Sequence, residues 1–419
     1  MNSLEGFVEK MEAGELGELP WGRREPVYGQ VCGALEETPE GAEVFAVGKP
    51  PFLSGELEPG ARDGVYAYHF HSVGEVETAD AVLDALKVVL EDPTPDAFAR
   101  FYDAVRSPAV IEYVDPLLER LVLTGELDPT AVKTMAMFLA MRAPDREPVK
   151  LGLALLGTLS GVDKEELKVL TRLSLCEEFT LFGAVALVQK MERPTKRLWW
   201  IAKRVHGWGR IHLVRILANR VTPEIQRWLV AEGYANTVGV GYLACLCAER
   251  GELLSFLSVD EVDQDVLKGA GEILGGLTEP GQGEEMDDYA DGAAAVERYL
   301  QHLQNSGATS LDRVLALVRI LDFLEDEEAD WDSRVAVGWT LEKRKKHSKS
   351  IHGLLFKPLL CGALKGPSGT RRFEGVQVME LLPEEFGGEW VGAALSAAKS
   401  KEDRPKVVDL IESVSSRWE

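Results

Sequence analysis

The chain has 419 residues, of which 45% are hydrophobic, and it carries a formal net charge of −23. This negative charge disfavours non-specific binding to nucleic acid or to an anionic membrane surface. The five cysteines are an odd number and are scattered, which argues against a disulfide framework and indicates a reducing, cytoplasmic location. We also expect no signal peptide and no membrane span, because the N-terminus lacks a basic segment followed by an apolar one and the most apolar stretch, residues 237–248, is too short.

Residues 1–77 differ in composition from the rest of the chain. Prolines and glycines recur between residues 41 and 74, which disfavours a long helix there. Two short segments, Glu43–Val47 and Val65–His71, have the alternation or the β-rich composition of strands. We therefore predict a small irregular N-terminal cap with a short β-hairpin, which would cover the end of a helical array.

From residue 78 to the C-terminus the sequence predicts helices. Helix-start signals recur, in which Asp, Ser or Thr caps the first free backbone amides or Pro occupies the first turn. The signals lie at Thr94, Asp128, Asp163, Pro194, Thr222 and Ser258. Their spacing of roughly 28–36 residues is typical of one helix–turn–helix unit in a solenoid.

Apolar residues with the helical period support this interpretation. One stripe follows Ser258 and contains Val262, Val266, Ala270, Ile273, Leu274 and Leu277. Another follows Ser310 and contains Leu311, Val314, Leu315, Val318 and Leu321. We predict an all-α fold, a right-handed α–α superhelix, in which residues 78–419 form a HEAT-like solenoid of about nine helix pairs. A doubly wound sheet is disfavoured, because β-branched strand runs are missing after residue 77.

Residues 190–220 are basic and aromatic in an otherwise acidic chain, with nine Lys or Arg and Glu192 as the only acid. Guanidinium groups pair with carboxylate or phosphate, tryptophan offers a flat surface, and the turn at Gly207–Arg210 can leave backbone amides free. The pattern predicts an anion-recognition surface. Its residues are Trp199, Trp200, Lys203, Arg204, His206, Trp208, Arg210 and His212. In the alternative interpretation, the tryptophans lie in the core and the basic residues pair with acids on neighbouring repeats.

A second basic run extends from Lys343 to Lys349. It is followed by His352, Lys357, Lys365, Arg371 and Arg372. If the superhelix brings this run near the first basic region, the two would line one groove. The alternative is an ordinary solvated surface.

Two further motifs are weak. On a strand, His69 and His71 would point to the same side, but a metal needs further ligands and only Glu75 or Glu77 is near, so we predict no metal site. The segment Gly239–Ala244 matches the dinucleotide pattern G-x-G-x-x-A, but it lies within a predicted helix and not between a strand and a helix. Its glycines are better explained by close helix packing.

Beyond its likeness to HEAT and armadillo solenoids, the chain shows a more specific resemblance. Residues 171–182, residues 202–212 and the segment from Thr222 to Leu229 resemble a bacterial family commonly labelled "limonene hydroxylase". The resemblance covers roughly residues 160–250 and implies an oxygenase. An oxygenase needs haem, flavin, copper or non-haem iron, and the sequence has no flavin or nicotinamide fingerprint and no spacing that marks an iron triad. We therefore predict no cofactor.

The prediction that these observations favour is a cytoplasmic, non-enzymatic α-solenoid. It would bind an acidic or phosphate-bearing protein or peptide along its concave face through the basic and aromatic residues. The alternatives are an oxygenase, a nucleic-acid-binding or nucleic-acid-modifying protein, and a purely structural or assembly role.

Overall fold

The computed structural model describes residues 4–38, 57–70, 74–306, 311–355, 395–396, 398–399 and 405–415. Every regular element in these segments is helical, and none of them contains a β-strand. The predicted all-α fold class is therefore confirmed.

Twelve of the described helices precede residue 220. They are α1 (Leu4–Glu12), α2 (Val27–Glu37), α3 (Ala61–His69), α4 (Val76–Glu91), α5 (Pro95–Arg106), α6 (Val110–Thr124), α7 (Pro129–Arg142), α8 (Arg146–Gly157), α9 (Lys164–Leu173), α10 (Thr180–Lys190), α11 (Thr195–Ala202) and α12 (Trp208–Leu217). Nine described helices follow. They are α13 (Pro223–Trp228), α14 (Gly241–Arg250), α15 (Leu253–Leu257), α16 (Gln264–Gly276), α17 (Gly292–Ser306), α18 (Leu311–Glu325), α19 (Trp331–Ala336), α20 (Leu341–Leu354) and α21 (Pro405–Ser415). A single π-helical turn, Leu229–Gly233, continues α13.

Most of the predicted helix starts are capped as the sequence indicated. The side chains of Thr94, Asp128 and Thr222 accept hydrogen bonds from amides in the first turn. Asp163 forms a full capping box with Glu166, in which each side chain bonds the other residue's backbone amide. The start predicted at Ser258 is wrong, because Asp263 caps α16 instead.

The apolar stripes predicted for two helices face the core. In α16, Val266, Ala270, Ile273 and Leu274 are buried, whereas Val262 precedes the helix. In α18, the predicted stripe is likewise buried at Val314, Val318 and Leu321.

The strand predicted at Val65–His71 is wrong, because Ala61–His69 forms helix α3. Gly60 has a φ of 75° and turns the chain into the helix from the left-handed region, where glycine carries no Cβ penalty. Gly64 lies so close to the Trp208 ring that a Cβ at this position would overlap it. Packing against Trp208 therefore determines that this segment is a helix, although its tyrosine-rich local sequence favours a strand. The other predicted strand, Glu43–Val47, lies outside the described residues.

The chain forms two compact units. Unit 1 contains the residues up to Arg220 together with Asn236–Val238, and unit 2 contains Val221–Ala235 and the residues from Gly239 onward. Helix α3 packs against α6 and α12 within unit 1. The boundary predicted at residue 77 stays a prediction.

Alternate helices pack in a row within each unit. In unit 1, α4 contacts α6, α6 contacts α8, α8 contacts α10, and α10 contacts α12. In unit 2, α14 contacts α16, α16 contacts α18, and α18 contacts α20. Contact between every second helix is typical of stacked helical hairpins. The right-handed superhelix and the count of nine pairs stay predictions.

A buried ion cluster ties α3 to the interior of unit 1. The Nζ of Lys150 lies 2.7 Å from Asp63, 2.8 Å from Glu178 and 3.2 Å from Glu147, and its side chain is 1% exposed. Two of these carboxylates also bond backbone amides. Glu178 accepts from Gly60 and Glu147 accepts from the amide that begins α6. A single buried cation therefore compensates acids from three chain segments.

Replacing the central cation should destabilise unit 1. We expect Lys150→Met to lower the free energy of unfolding by about 3–5 kcal/mol, because it leaves the buried Asp63 and Glu147 without a counter-charge and Glu178 with Arg146 alone. The matched control is Lys133→Met, which removes a half-exposed lysine paired with Asp163. It should cost less than about 1 kcal/mol, because the buried Glu166, 3.6 Å from the same lysine, keeps its pair with Lys190. Urea unfolding followed by circular dichroism measures both, and equal losses would contradict a central role for Lys150.

The same cluster predicts a pH dependence of stability. Burial raises the pKa of Asp63 from 3.8 to about 6, with Lys150 opposing the shift. Protonated Asp63 stabilises the folded state. This stabilisation is fully present below the pKa that Asp63 has in the unfolded chain, and it is lost as the pH rises through about 6. Between about pH 4 and about pH 7.5, the unfolding free energy of the wild type should fall by up to about 3 kcal/mol relative to Asp63→Asn. Urea unfolding of both proteins across this range tests this, and parallel profiles would contradict it.

Candidate anion-recognition surface

The eight residues predicted as one surface divide into two groups. Trp208, Arg210 and His212 on α12 are only 5%, 2% and 3% exposed, so they do not lie on a surface with the others. Trp199, Trp200, Lys203, Arg204 and His206 retain partial or full exposure. The expectation that all eight contact a partner is therefore corrected, and for the α12 residues the core interpretation holds.

The three buried residues serve packing. The Trp208 ring stacks on Tyr68 of α3 with centroids 6.0 Å apart, and the Tyr68 hydroxyl forms a hydrogen bond of 2.8 Å with Nδ1 of His212. Burial, aided by the positive charge of Arg215, lowers the pKa of His212 to about 3, so this imidazole is neutral at physiological pH. The Nε of Arg210 donates to the carbonyl of Val205. The two Tyr68 contacts fasten α3 to α12, and the Arg210 bond joins α12 to the turn before it.

The turn before α12 does not offer free backbone amides. The carboxylate of Glu177 accepts hydrogen bonds from the amides of His206 (2.5 Å), Gly207 (2.8 Å) and Gly209 (2.5 Å). Burial raises the pKa of Glu177, and the three amides oppose that shift. A carboxylate at a helix N-terminus satisfies the unpaired donors and the helix dipole together. The anion site predicted at this turn is therefore filled by the protein's own side chain.

Helix α11 and the residues that follow it present a different arrangement. The Nζ of Lys203 lies 4.4 Å from the ring centroid of Trp199, and the Cζ of Arg204 lies 4.1 Å from that of Trp200. Each pair has the i, i+4 spacing that brings side chains together on a helix. The Nη1 of Arg204 also donates to the carbonyl of Trp200, which holds the guanidinium in place.

Four cations and one tryptophan in α11 and directly beside it make up what we call the α11 stripe, and all of them are exposed except Arg204, which is half-buried. It consists of Arg193, Lys196, Trp200, Lys203 and Arg204. Trp200 is 40% exposed. In the part of the chain that the structure describes, none of the four cations forms an ion pair with a carboxylate. The stripe thus concentrates uncompensated positive charge on a protein with a net charge of −23.

Other basic residues of the region 190–220 have structural partners. Lys190 is buried and caps the end of α8, because its Nζ bonds the carbonyls of Leu156 and Leu159 and lies 3.3 Å from Glu166. Arg197 donates to the hydroxyl of Thr171. The interpretation that basic residues pair with acids on neighbouring helices therefore applies to Lys190, which bonds Glu166, and not to Arg197 or to the α11 stripe.

The second basic run lies in α20, where Arg344 and Lys346 have partners within unit 2, whereas Lys343, Lys345 and Lys349 form no ion pair with a carboxylate of the described residues. Lys346 pairs with Glu297 at 2.6 Å, and His352 lies 3.0 Å from Glu325. Arg344 bonds the carbonyl of Leu324, and its guanidinium stacks on a tryptophan ring. His347 is buried. The further predicted residues Lys357, Lys365, Arg371 and Arg372 lie outside the described residues.

The two weak sequence motifs are the pair His69 and His71 and the segment Gly239–Ala244. His69 ends α3, and His71 lies outside the described residues. The described residues contain no group of three His, Cys, Asp or Glu side chains placed to hold a metal ion. Gly239 and Gly241 face the side chain of Gln282 so closely that a Cβ at position 239 would overlap its amide. These glycines make room for a side chain and not for a pyrophosphate.

Each unit also contains an open cavity. In unit 1 a cavity of about 520 Å³ has two cations in its lining, Lys133 and Arg142, which are paired with Asp163 and Glu12. In unit 2 a cavity of about 540 Å³ has an acidic lining, into which Arg334 brings a guanidinium bound to Asp287. Because the cations that line the two cavities are paired with carboxylates, neither cavity has the uncompensated positive charge of the α11 stripe.

Comparison of the chain with protein-family models, with curated proteins and with solved structures finds no match. The resemblance of residues 160–250 to the family labelled "limonene hydroxylase" gains no support from these comparisons. Among the described residues, no helix has both the length and the apolar character needed to cross a bilayer.

Sequence reasoning did not single out Glu177 for the turn before α12, although it is the residue that determines that turn. Its partners lie about thirty positions later in the chain, and no local pattern links a carboxylate to distant amides. The only available signal was the turn itself, whose free donors required an acceptor.

Removal of this carboxylate should reopen the anion site. We expect Glu177→Ala to lower the free energy of unfolding by about 3 kcal/mol, because three amides lose a charged acceptor. Acetate should restore part of that loss, since it can occupy the vacated position, and it should leave the wild type unchanged. The control is Glu192→Ala, at an exposed acid of the same region. Thermal unfolding with and without acetate measures the effect, and equal responses of both variants would contradict it.

Proposed function

We propose that this protein is a helical-repeat scaffold that binds an acidic or phosphate-bearing protein or peptide through the α11 stripe. The observation that carries the proposal is the pair of cations, Lys203 and Arg204, held on tryptophan rings with no carboxylate partner among the described residues. A scaffold of stacked helical hairpins is supported by the row of alternate helices in each unit. In this proposal the rows belong to a right-handed, HEAT-like superhelix.

The stacked pairs favour anion binding for an energetic reason. A free lysine or arginine side chain loses rotational entropy when it binds a ligand, and ordering costs about 0.5–1.5 kcal/mol for each side chain. Arg204 is already fixed by its ring contact and by its bond to the Trp200 carbonyl. Its remaining N–H groups keep the planar geometry that matches a carboxylate or a phosphate.

The charge of the whole protein limits the kind of partner. A long polyanion such as DNA would extend beyond the stripe over a surface with an excess of negative charge. A protein or peptide can present a few anionic groups to the stripe alone. This comparison favours a protein partner over nucleic acid, which was one of the alternatives.

Charge reversal on the stripe tests the proposal. We expect Lys203→Glu with Arg204→Glu to weaken binding of fluorescein-labelled hexaglutamate, and of a phosphoserine peptide of equal length, by tenfold or more. The control is Lys10→Glu with Arg100→Glu, which makes the same charge change at exposed positions on α1 and α5. Fluorescence anisotropy at low and moderate salt measures the affinities. Equal losses in both variants would show that only net charge matters, and absence of binding by the wild type would overturn the proposal.

A further inference from the structure

Helix α3 is held on unit 1 with little apolar packing. Of its nine residues, only Ala61, Asp63 and Gly64 are buried, and none of these brings a large apolar side chain into the core. In α8, by contrast, every residue from Glu147 to Gly157 is buried. Elements that bury few apolar side chains open at a lower free energy than the core of a protein. The attachment of α3 therefore depends on its polar and aromatic contacts.

These contacts are few. Arg62 lies 2.9 Å from Glu112 of α6, but both side chains are partly exposed, and such pairs contribute little to stability. Tyr68 stacks on the Trp208 ring of α12. Asp63 is the charged side chain that α3 buries, and it enters the Lys150 cluster. The charge of Asp63 therefore has a large influence on whether α3 stays docked.

Asp63 is the least satisfied acid of the Lys150 cluster. Glu147 and Glu178 each accept from Lys150 and from a backbone amide. Asp63 reaches the same lysine through Oδ2, and its buried Oδ1 has no hydrogen-bond partner among the described residues. Arg146 is the second cation of the cluster, 3.5 Å from Glu178. Among the described residues, two cations thus face three carboxylates, and the charges balance when Asp63 is protonated.

Other titratable groups on and around α3 need to be distinguished from Asp63. Burial raises the pKa of Tyr68 to about 12 and lowers that of His212 to about 3, so neither changes its charge near neutral pH. His69 ends α3, where a protonated imidazole also favours the helix and therefore needs its own control. The remaining charged groups that face α3 are Glu112 on α6, Arg146, Glu147 and Lys150 on α8, Glu177 and Glu178 in the turn before α10, and Arg215 on α12.

We propose that α3 is a strap that opens locally from unit 1 as the pH rises from about 5 to about 7.5, when Asp63 loses its proton, while the helices beneath it stay folded. Protonated Asp63 leaves the cluster balanced and keeps α3 docked. Ionised Asp63 adds a buried negative charge that the two cations do not compensate, and opening returns this carboxylate to water. Opening also uncovers the Trp208 ring and the side chain of Lys150.

The size of the effect follows from the burial of Asp63. Burial raises the pKa of this carboxyl from 3.8 to about 6 in the docked helix, and opening restores the ordinary value. The protonated form therefore stabilises docking below the ordinary pKa, and this stabilisation is lost as the pH rises through about 6. Opening becomes about tenfold more favourable at about pH 7.5 than at about pH 5.

Hydrogen exchange of the full chain, followed by mass spectrometry, tests the proposal. Exchange rates of the α3 amides, divided by those of the unfolded chain at the same pH, give the equilibrium constant for opening. We expect this constant to rise about tenfold between about pH 5 and about pH 7.5 in the wild type. Asp63→Asn has no charge at this position, so its constant should stay unchanged. The control His69→Gln removes the imidazole and should retain the rise.

Urea separates the opening of α3 from the unfolding of unit 1. Local opening exposes little surface, so a low concentration of urea should leave exchange in α3 unchanged and accelerate exchange in α8. Equal protection of α3 and α8, with an equal response to urea, would show that α3 leaves only when unit 1 unfolds, and this overturns the strap. An opening constant that is independent of pH in the wild type, or that rises equally in Asp63→Asn, overturns the control by Asp63.

Discussion

Compensation of buried charge is the constraint on which unit 1 depends. Its interior contains the Lys150 cluster with three acids, and its α12 begins on the carboxylate of Glu177. Burying an ion without a partner costs several kcal/mol, so these groups must come together for the helices to pack. The helices that contribute them are thereby held at fixed positions, and α3 is joined to the core at Asp63 by one such contact.

The regular helices were predictable because their signals are local. A side chain that caps a first turn, as Asp163 does, lies within three residues of the amide that it bonds. Helix α3 was mispredicted because its conformation depends on a distant tryptophan, which packs against Gly64. The Ser258 signal failed for a related reason: another acid, Asp263, stands a few residues later and caps the helix instead.

The candidate site shows the same division between local and distant information. The region 190–220 was identified from its composition, and the ring contacts of Lys203 and Arg204 follow from i, i+4 spacing. The burial of Trp208, Arg210 and His212 did not follow, because it depends on α3, more than a hundred residues earlier. Basic residues with a distant partner, such as Lys190 with Glu166, look the same in the sequence as those without one.

The ring-to-cation contacts at α11 are made by residues that lie close together in the sequence. Each contact joins two residues that are four positions apart in the chain, one in α11 and one directly after it. The twelve residues from Arg193 to Arg204 therefore contain the whole arrangement. Leu198, Ile201 and Ala202 of the same segment are fully buried, so substitutions at the outward residues Trp200 and Lys203 can alter this surface while the segment keeps its place in the core.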